Sequence, residues 1–329
     1  MTAQNETPLL EVRNLTKHFN VGGGGLFRRD TQTVKALDDV SFTVGKGKTF
    51  AIVGESGCGK STLGRSLLRL EQPTGGQVHL DGTDVTTASA ATLRAMRRKM
   101  QIVFQDPFSS LHPKMTAGQL VAEPMLLHRI ATRKDVRERV ARLFELVGLA
   151  PYQMDRYPHQ FSGGQRQRIA IARALAVDPS LIVCDEPVSA LDVSIQAQII
   201  NLLTDLQEKL GVSYVFISHD LGVVRYISHE IAVMYLGKII EQGPKDELFS
   251  SPKHPYTKAL LSAVPRPDPT YRSRRIVLKG DLPNPLDPPP GCSFSSRCAH
   301  VRATCREVEP QLDAVSPQHR AACHFWREM

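Results

Sequence analysis

No stretch of this 329-residue sequence approaches the ~18 consecutive apolar residues that a bilayer crossing requires. The apolar runs, such as Phe50 to Val53, are strand-length. The first residues hold Glu6 and Glu11 and no apolar block, so they do not read as a secretory signal. The expectation is a protein of the cytosol or of the cytosolic face of a membrane. There is no internal duplication, and the phosphate-binding pattern described below occurs once. At 41% apolar and 22% charged residues, the composition excludes disorder throughout, collagen and a disulfide miniprotein. The length suits about two domains with a full core.

The formal net charge is +8. That balance fits nucleic acid, an anionic membrane surface, a phosphorylated ligand or simply a basic soluble surface. The charge is unevenly placed. Residues 251–329 carry 12 Lys and Arg against 7 Asp and Glu, with 12 of the 22 prolines and 4 of the 6 cysteines. Such a shift predicts a cassette over 8–250 and a separate C-terminal module over 251–329.

Residues 9–53 read as strands with turns, since Leu10-Glu11-Val12 and Val40 to Val44 alternate. Between them, Gly22 to Gly25 and Arg28-Arg29-Asp30 read as a flexible surface insertion. Phe50 to Val53, Leu181 to Cys184 and Tyr214 to Ile217 are continuous apolar runs, as buried parallel strands are. Leu63, Leu67, Leu68 and Leu70 have helical spacing. Residues 106–160 read as mostly helical, with Val136, Val140, Leu143, Phe144 and Val147 on one face before Gly148. Strands alternating with helices predict an α/β fold with a mainly parallel sheet.

Gly54-Glu55-Ser56-Gly57-Cys58-Gly59-Lys60-Ser61, followed by Thr62, fits GxxxxGK[ST] at every defined position, after a strand and at the start of a helix. Glycines let backbone N–H groups turn inward around phosphate oxygens, and the helix directs its positive end at them. Lys60 then neutralises the β- and γ-phosphates, and the Ser61 hydroxyl can ligate Mg²⁺. Cys58 reads as a small residue that fits the loop. Four apolar residues lead into Asp185-Glu186. An acid at the end of a buried strand is costly unless it meets a cation, so Asp185 suits Mg²⁺. Glu186, one residue later, is placed to polarise an attacking water.

Phe161-Ser162-Gly163-Gly164-Gln165, followed by Arg166-Gln167-Arg168 and a helical segment, resembles the LSGGQ signature of ABC-type ATPases, with Phe161 in place of leucine. Gln105 resembles the family's Q-loop glutamine, which also reaches the metal. Ser189-Ala190-Leu191-Asp192 resembles the D-loop, and His219 the switch histidine. Phe19 is placed like the aromatic that stacks on adenine. The resemblance implies a P-loop cassette with a RecA-like parallel-sheet core, an N-terminal antiparallel β subdomain and a helical signature subdomain over about 106–165. It implies ATP and Mg²⁺ as ligands. Ser162-Gly163-Gly164 forms a second helix N-terminus suited to an anion. In this family one chain's signature closes on its partner's γ-phosphate, with Asp192 at the seam, while His219 holds the γ-phosphate and orients the water of Glu186.

Phe104 to Leu111, Ser251 to Leu261 and the tail Pro288-Pro289-Pro290-Gly291-Cys292 resemble the di- and oligopeptide importer subfamily. His112, where many relatives carry asparagine, departs from its pattern. The resemblance implies a paralogous ATPase as heterodimer partner, two permease subunits, a solute-binding protein, no nucleic acid, and a place on the cytoplasmic face of the inner membrane. Two other readings compete: a soluble ABC ATPase acting on nucleic acid, and a non-catalytic cassette. The first normally has two cassettes per chain, coiled coils or zinc insertions, which are not found here. The second should have lost Lys60, Glu186 or His219, and all three are present.

Cys292, Cys298, Cys305 and Cys323 lack C-x-x-C spacing, and a reducing compartment disfavours disulfides. Four thiols in a Pro-rich, core-poor tail suggest a metal staple, because metal binding can contribute folding energy directly. Thiolates admit zinc or an iron–sulfur cluster, and unliganded thiols are the remaining reading. The family resemblance favours [4Fe–4S], with zinc as the alternative.

Overall fold

The computed structural model describes residues 7–22, 32–264 and 275–329. The glycine run beyond Gly22, with Arg28-Arg29-Asp30, lies outside the described residues. The described strands are, in chain order, β1 (Leu10–Val21), β2 (Gln32–Val44), β3 (Thr49–Val53), β4 (Gly75–Leu80), β5 (Thr83–Asp84) and β6 (Met100–Val103). Then come β7 (Leu181–Asp185), β8 (Ser213–Ser218), β9 (Glu230–Tyr235), β10 (Lys238–Pro244), β11 (Asp313–Ala314) and β12 (Arg320–Ala321). The chain divides into two compact units. The first takes the chain up to Val44, then Phe50–Thr86 and His219–Met329; the second takes Gly45–Thr49 and Thr87–Ser218.

In the first unit β1 sits between β2 and β4, antiparallel to both, and β5 extends β4. Alternation explains this sheet: Leu10, Val12 and Leu15 are buried, and their partners Val44, Phe42 and Val40 are buried opposite them. Register shifts after Val12 and Leu15 bend the pair. Phe50–Val53 runs parallel to Glu230–Val233, every residue of it fully enclosed. Beyond it β10 lies antiparallel to β9, and the tail adds β12 and β11 at the β10 edge.

The second unit holds three parallel strands in the order β8-β7-β6, with Leu181 opposite both Met100 and Ser213. The apolar runs of β7 and β8 are buried end to end, as strands covered on both faces must be, while Gln101 and Ile102 of β6 are only partly covered. Helices Ala117–Leu127, Val136–Leu146, Gly163–Leu175 and Val193–Leu210 accompany them. Val140, Phe144 and Val147 face inward, while Val136 and Leu143 are only partly covered. The expectation of a mainly parallel sheet needs revision. Strands are parallel in the second unit, but β10, β12 and β11 are antiparallel and the arrangement is mixed. Short connections force this: Leu236-Gly237 joins β9 to β10 as a hairpin, which no parallel pair permits.

The tail packs a cluster of buried rings and a buried carboxylate network against β9 and β10. Phe294 is buried against Tyr235, Tyr256 and His254, with ring centroids 5.4–5.5 Å apart. Buried Glu241 accepts the backbone N–H groups of Lys253 (2.6 Å) and His254 (2.9 Å) and faces His319 Nε2 at 2.8 Å.

Candidate functional site

In the first unit the buried strand β3 ends at Val53, and residues 54–59 carry the chain into the helix Lys60–Leu67. Glycine is required at two points. A Cβ on Gly54 would stand 2.4 Å from Met234 O and 2.7 Å from Cys58 Sγ. A Cβ on Gly59, at φ +107°, would stand 2.2 Å from Ala36 O. Gly57, at φ +82°, faces open space, and Ser56 beside it is exposed. The loop is thus pinned from below and open above, which fits a phosphate chain approaching backbone N–H groups. Lys60 is 5% exposed and donates to Gly54 O (2.7 Å) and Glu55 O (2.9 Å), with Cys58 Sγ at 3.8 Å. Burial pushes the Cys58 thiol up, so it stays protonated beside that ammonium. Ser61 and Thr62, in the helix's first turn, are partly exposed.

Phe19 lies in β1 opposite Val34, with the Lys17 ammonium 4.7 Å from its ring centre. His219, exposed, directly follows the last residue of β8 in the chain.

The second unit holds the acid pair. Asp185 ends β7 and is 3% exposed. Its carboxylate, at the end of an enclosed apolar strand, suits Mg²⁺, an oxygen-seeking ion usually held by one or two carboxylates plus substrate phosphates. Glu186 has φ +48° and its N–H donates to Ile217 O at 3.0 Å. A non-glycine residue in that conformation is strained, and such strain clusters at functional sites. Gln105 Nε2 donates to Glu186 Oε2 at 3.1 Å, so the structure brings these two predicted residues together. Ser189 Oγ donates to Glu186 O at 3.0 Å.

Ser162 caps the helix Gly163–Leu175. Its Oγ accepts the Gln165 N–H at 3.3 Å, and Gln165 Oε1 accepts the Ser162 N–H at 3.0 Å. Gln165's side chain is therefore engaged in the cap. A Cβ on Gly164 would stand 2.5 Å from Ile195 Cγ2, which explains the second glycine by close helix packing. Asp192, exposed, precedes the helix Val193–Leu210.

Two residues that touch the phosphate loop were missed. Tyr256 Oη accepts the Glu55 N–H at 2.9 Å, and Arg297 grips the Glu55 carboxylate at 2.7 and 3.2 Å. Tyr256 lies in a segment that the subfamily resemblance singled out. Arg297 is 242 residues from its partner and carries no local signal.

The iron–sulfur and zinc expectation is corrected. Cys292, Cys298, Cys305 and Cys323 line one small cavity with Phe294 and Phe325, and all are free thiols. Among the described residues, no group of three or more His, Cys, Asp or Glu is arranged to hold a metal ion. Burial pushes Cys292 up to about 11 and raises Cys298 and Cys323, so these side chains are thiols here. The premise of a core-poor tail fails as well, given the buried rings around Phe294.

The loop, the acid pair and the capped glycine helix define a P-loop ATPase of the cassette type, and comparison with known proteins agrees. The ABC transporter family matches residues 37–189, and the oligopeptide/dipeptide transporter C-terminal region matches residues 240–305. The chain belongs to the ABC transporter family. It is 51% identical to the oligopeptide transport ATP-binding protein AppF of Bacillus subtilis, over 99% of this chain and 100% of that one. It is 52% identical to the dipeptide transport ATP-binding protein DppF of Escherichia coli, over 95% and 94%. Among solved structures, a dimeric post-hydrolysis cassette, MJ0796 bound to ADP and Pi, matches at TM-score 0.64 and 30% identity, over 72% of this chain and 98% of that one. The cbiO1 cassette from Clostridium perfringens matches at TM-score 0.63 and 28% identity, over 74% and 91%.

Proposed function

We propose that this chain is the ATP-binding and ATP-hydrolysing subunit of an importer for di- or oligopeptides. The observation that carries the reading is similarity to AppF and DppF over nearly the whole chain, C-terminal region included. No described helix is long and apolar enough to cross a membrane. Two permease subunits therefore supply the path, a solute-binding protein delivers the peptide, and the cassette sits on the cytoplasmic face of the inner membrane. Its partner cassette is a paralogous ATPase. The cassette spans residues 8–250, and residues 251–329 form the C-terminal module.

Each residue then has a role. Phe19 stacks on adenine. The loop Gly54 to Gly59, with Lys60, Ser61 and Thr62, binds the phosphates through backbone N–H groups, ammonium and hydroxyl. Ser61, Gln105 and Asp185 would hold Mg²⁺, which would neutralise charge on the phosphates. Glu186 polarises the attacking water and takes its proton at the carboxylate, held in place by Gln105. His219 orients the γ-phosphate. Ser162, Gly163, Gly164 and Gln165 meet the nucleotide of the partner cassette, and Asp192 lies at that seam. ATP stabilises the closed dimer over the open one, and hydrolysis removes the difference.

The test is the assembled transporter with Glu186→Gln. Hydrolysis should fall by at least ~100-fold while MgATP still binds and holds the cassettes closed. Turnover near the wild-type rate removes Glu186 from the role of base. Peptide uptake lost together with hydrolysis supports the importer reading, and uptake independent of this chain overturns it.

A further inference from the structure

The phosphate loop carries an acidic residue, Glu55, in a position that must receive a polyanion. An uncompensated carboxylate there repels phosphate, and the repulsion grows as water is excluded. The structure removes the liability from a distance. Arg297 Nη1 and Nη2 reach the two Glu55 carboxylate oxygens at 2.7 and 3.2 Å in a fork-to-fork pair. The arginine side chain is 9% exposed and the glutamate 30%, so salt and solvent screen the pair only in part.

The neighbouring peptide is fixed at both ends. The Glu55 N–H donates to Tyr256 Oη at 2.9 Å, and the carbonyl of the same peptide, Gly54 O, accepts from Lys60 Nζ at 2.7 Å. Tyr256 is itself locked against Tyr235 and Phe294, with ring centroids 4.9 and 5.5 Å away. The orientation of the peptide that holds the phosphate-binding lysine is therefore set by residues of the chain's last quarter.

We propose that Arg297 is a positioning residue for the phosphate loop, neutralising and anchoring Glu55 so that the loop accepts a nucleoside triphosphate. This rests on the reading of the loop as an ATP site. It makes the C-terminal region part of nucleotide binding. Arg297 touches no substrate and acts through Glu55.

The experiment uses the purified full chain and MgATP binding by calorimetry. Arg297→Ala should weaken binding by roughly tenfold, since it leaves Glu55 charged and unpaired beside the phosphates. The double variant Glu55→Gln/Arg297→Ala, which removes the stranded charge, should recover most of that loss. The deficit of the single variant should shrink toward ~1 M salt. A merely structural role for Arg297 predicts neither the rescue nor the salt dependence. If Arg297→Ala does not fold, Arg297→Gln, closer in size, carries the same comparison. Binding left unchanged by the single variant, or a double variant no better than the single, overturns the proposal while leaving the ATPase reading intact. A wild-type chain that fails to bind MgATP overturns both.

Discussion

Gly57 and Gly59 differ by two positions and should differ sharply in tolerance. Both have positive φ, which costs a side-chain-bearing residue about 1–2 kcal/mol. Only Gly59 also faces a wall, Ala36 O, at 2.2 Å from any added Cβ. Gly59→Ala should thus destabilise the chain by more than Gly57→Ala, by about 2 kcal/mol or more in urea unfolding, with MgATP affinity reduced in parallel. Equal costs for the two would mean that the loop is not pinned as described. The Gln105–Glu186 hydrogen bond makes a second prediction at this scale. Gln105→Ala should lower kcat more than it raises KM for ATP, because the carboxylate it steadies matters in the hydrolytic step. A change in KM alone would place Gln105 in binding only.

Helix Gly163–Leu175 depends on its first turn. The reciprocal Ser162 and Gln165 bonds satisfy two N–H groups that would otherwise lack partners within the helix. Ser162→Ala should cost about 1 kcal/mol of stability, read as a lower urea midpoint at constant m. Ser162→Arg should in addition stop hydrolysis by the assembled transporter, if the cap faces a partner's nucleotide. The ring cluster of the tail is the corresponding element-scale staple. Phe294 is 1% exposed and packs edge-on to Tyr235 at an interplanar angle of 90°. Phe294→Ala should cost about 3–5 kcal/mol, checked by thermal or urea unfolding; a loss below about 1 kcal/mol would show that the tail is ordered by something else.

Stability of the whole chain should depend on pH through His254. It is fully enclosed, and burial lowers it to about 4, with Glu241 acting in the opposite direction. Its Nδ1 accepts the Tyr256 N–H at 3.1 Å, which only the neutral ring can do. The unfolded chain binds a proton near pH 6.5 that the folded chain refuses until about 4. Stability from this group is therefore complete above pH 6.5 and falls as pH drops toward 4, by about 2 kcal/mol at pH 5 relative to pH 7. His254→Asn, which can still cap the helix Pro255–Ser262, should flatten that part of the profile. An unchanged slope would mean that other groups set it.

The sequence by itself determined what is local. GxxxxGKS between an apolar run and a helix, and Asp185-Glu186 after four apolar residues, are each complete within a few positions, so spacing alone exposes them; the helix start at Ser162 was legible through its resemblance to a known signature, and its reciprocal cap with Gln165 only in the structure. Strands β7 and β8 were legible for the same reason, as continuous apolar runs. Tertiary structure decided what depends on residues far apart. The antiparallel course of β10 and the tail strands depends on pairings such as Glu241 with Ala321, which no periodicity reveals. The four cysteines suggested a metal because the tail looked poor in core. Its core is completed by Tyr235, from outside the tail, packed with Tyr256 and Phe294, and burial raises Cys292, Cys298 and Cys323. Arg297 could not be read in advance at all. One arginine among many gains a partner only when folding brings it across 242 residues to Glu55, because the pairing energy belongs to the contact and not to either residue.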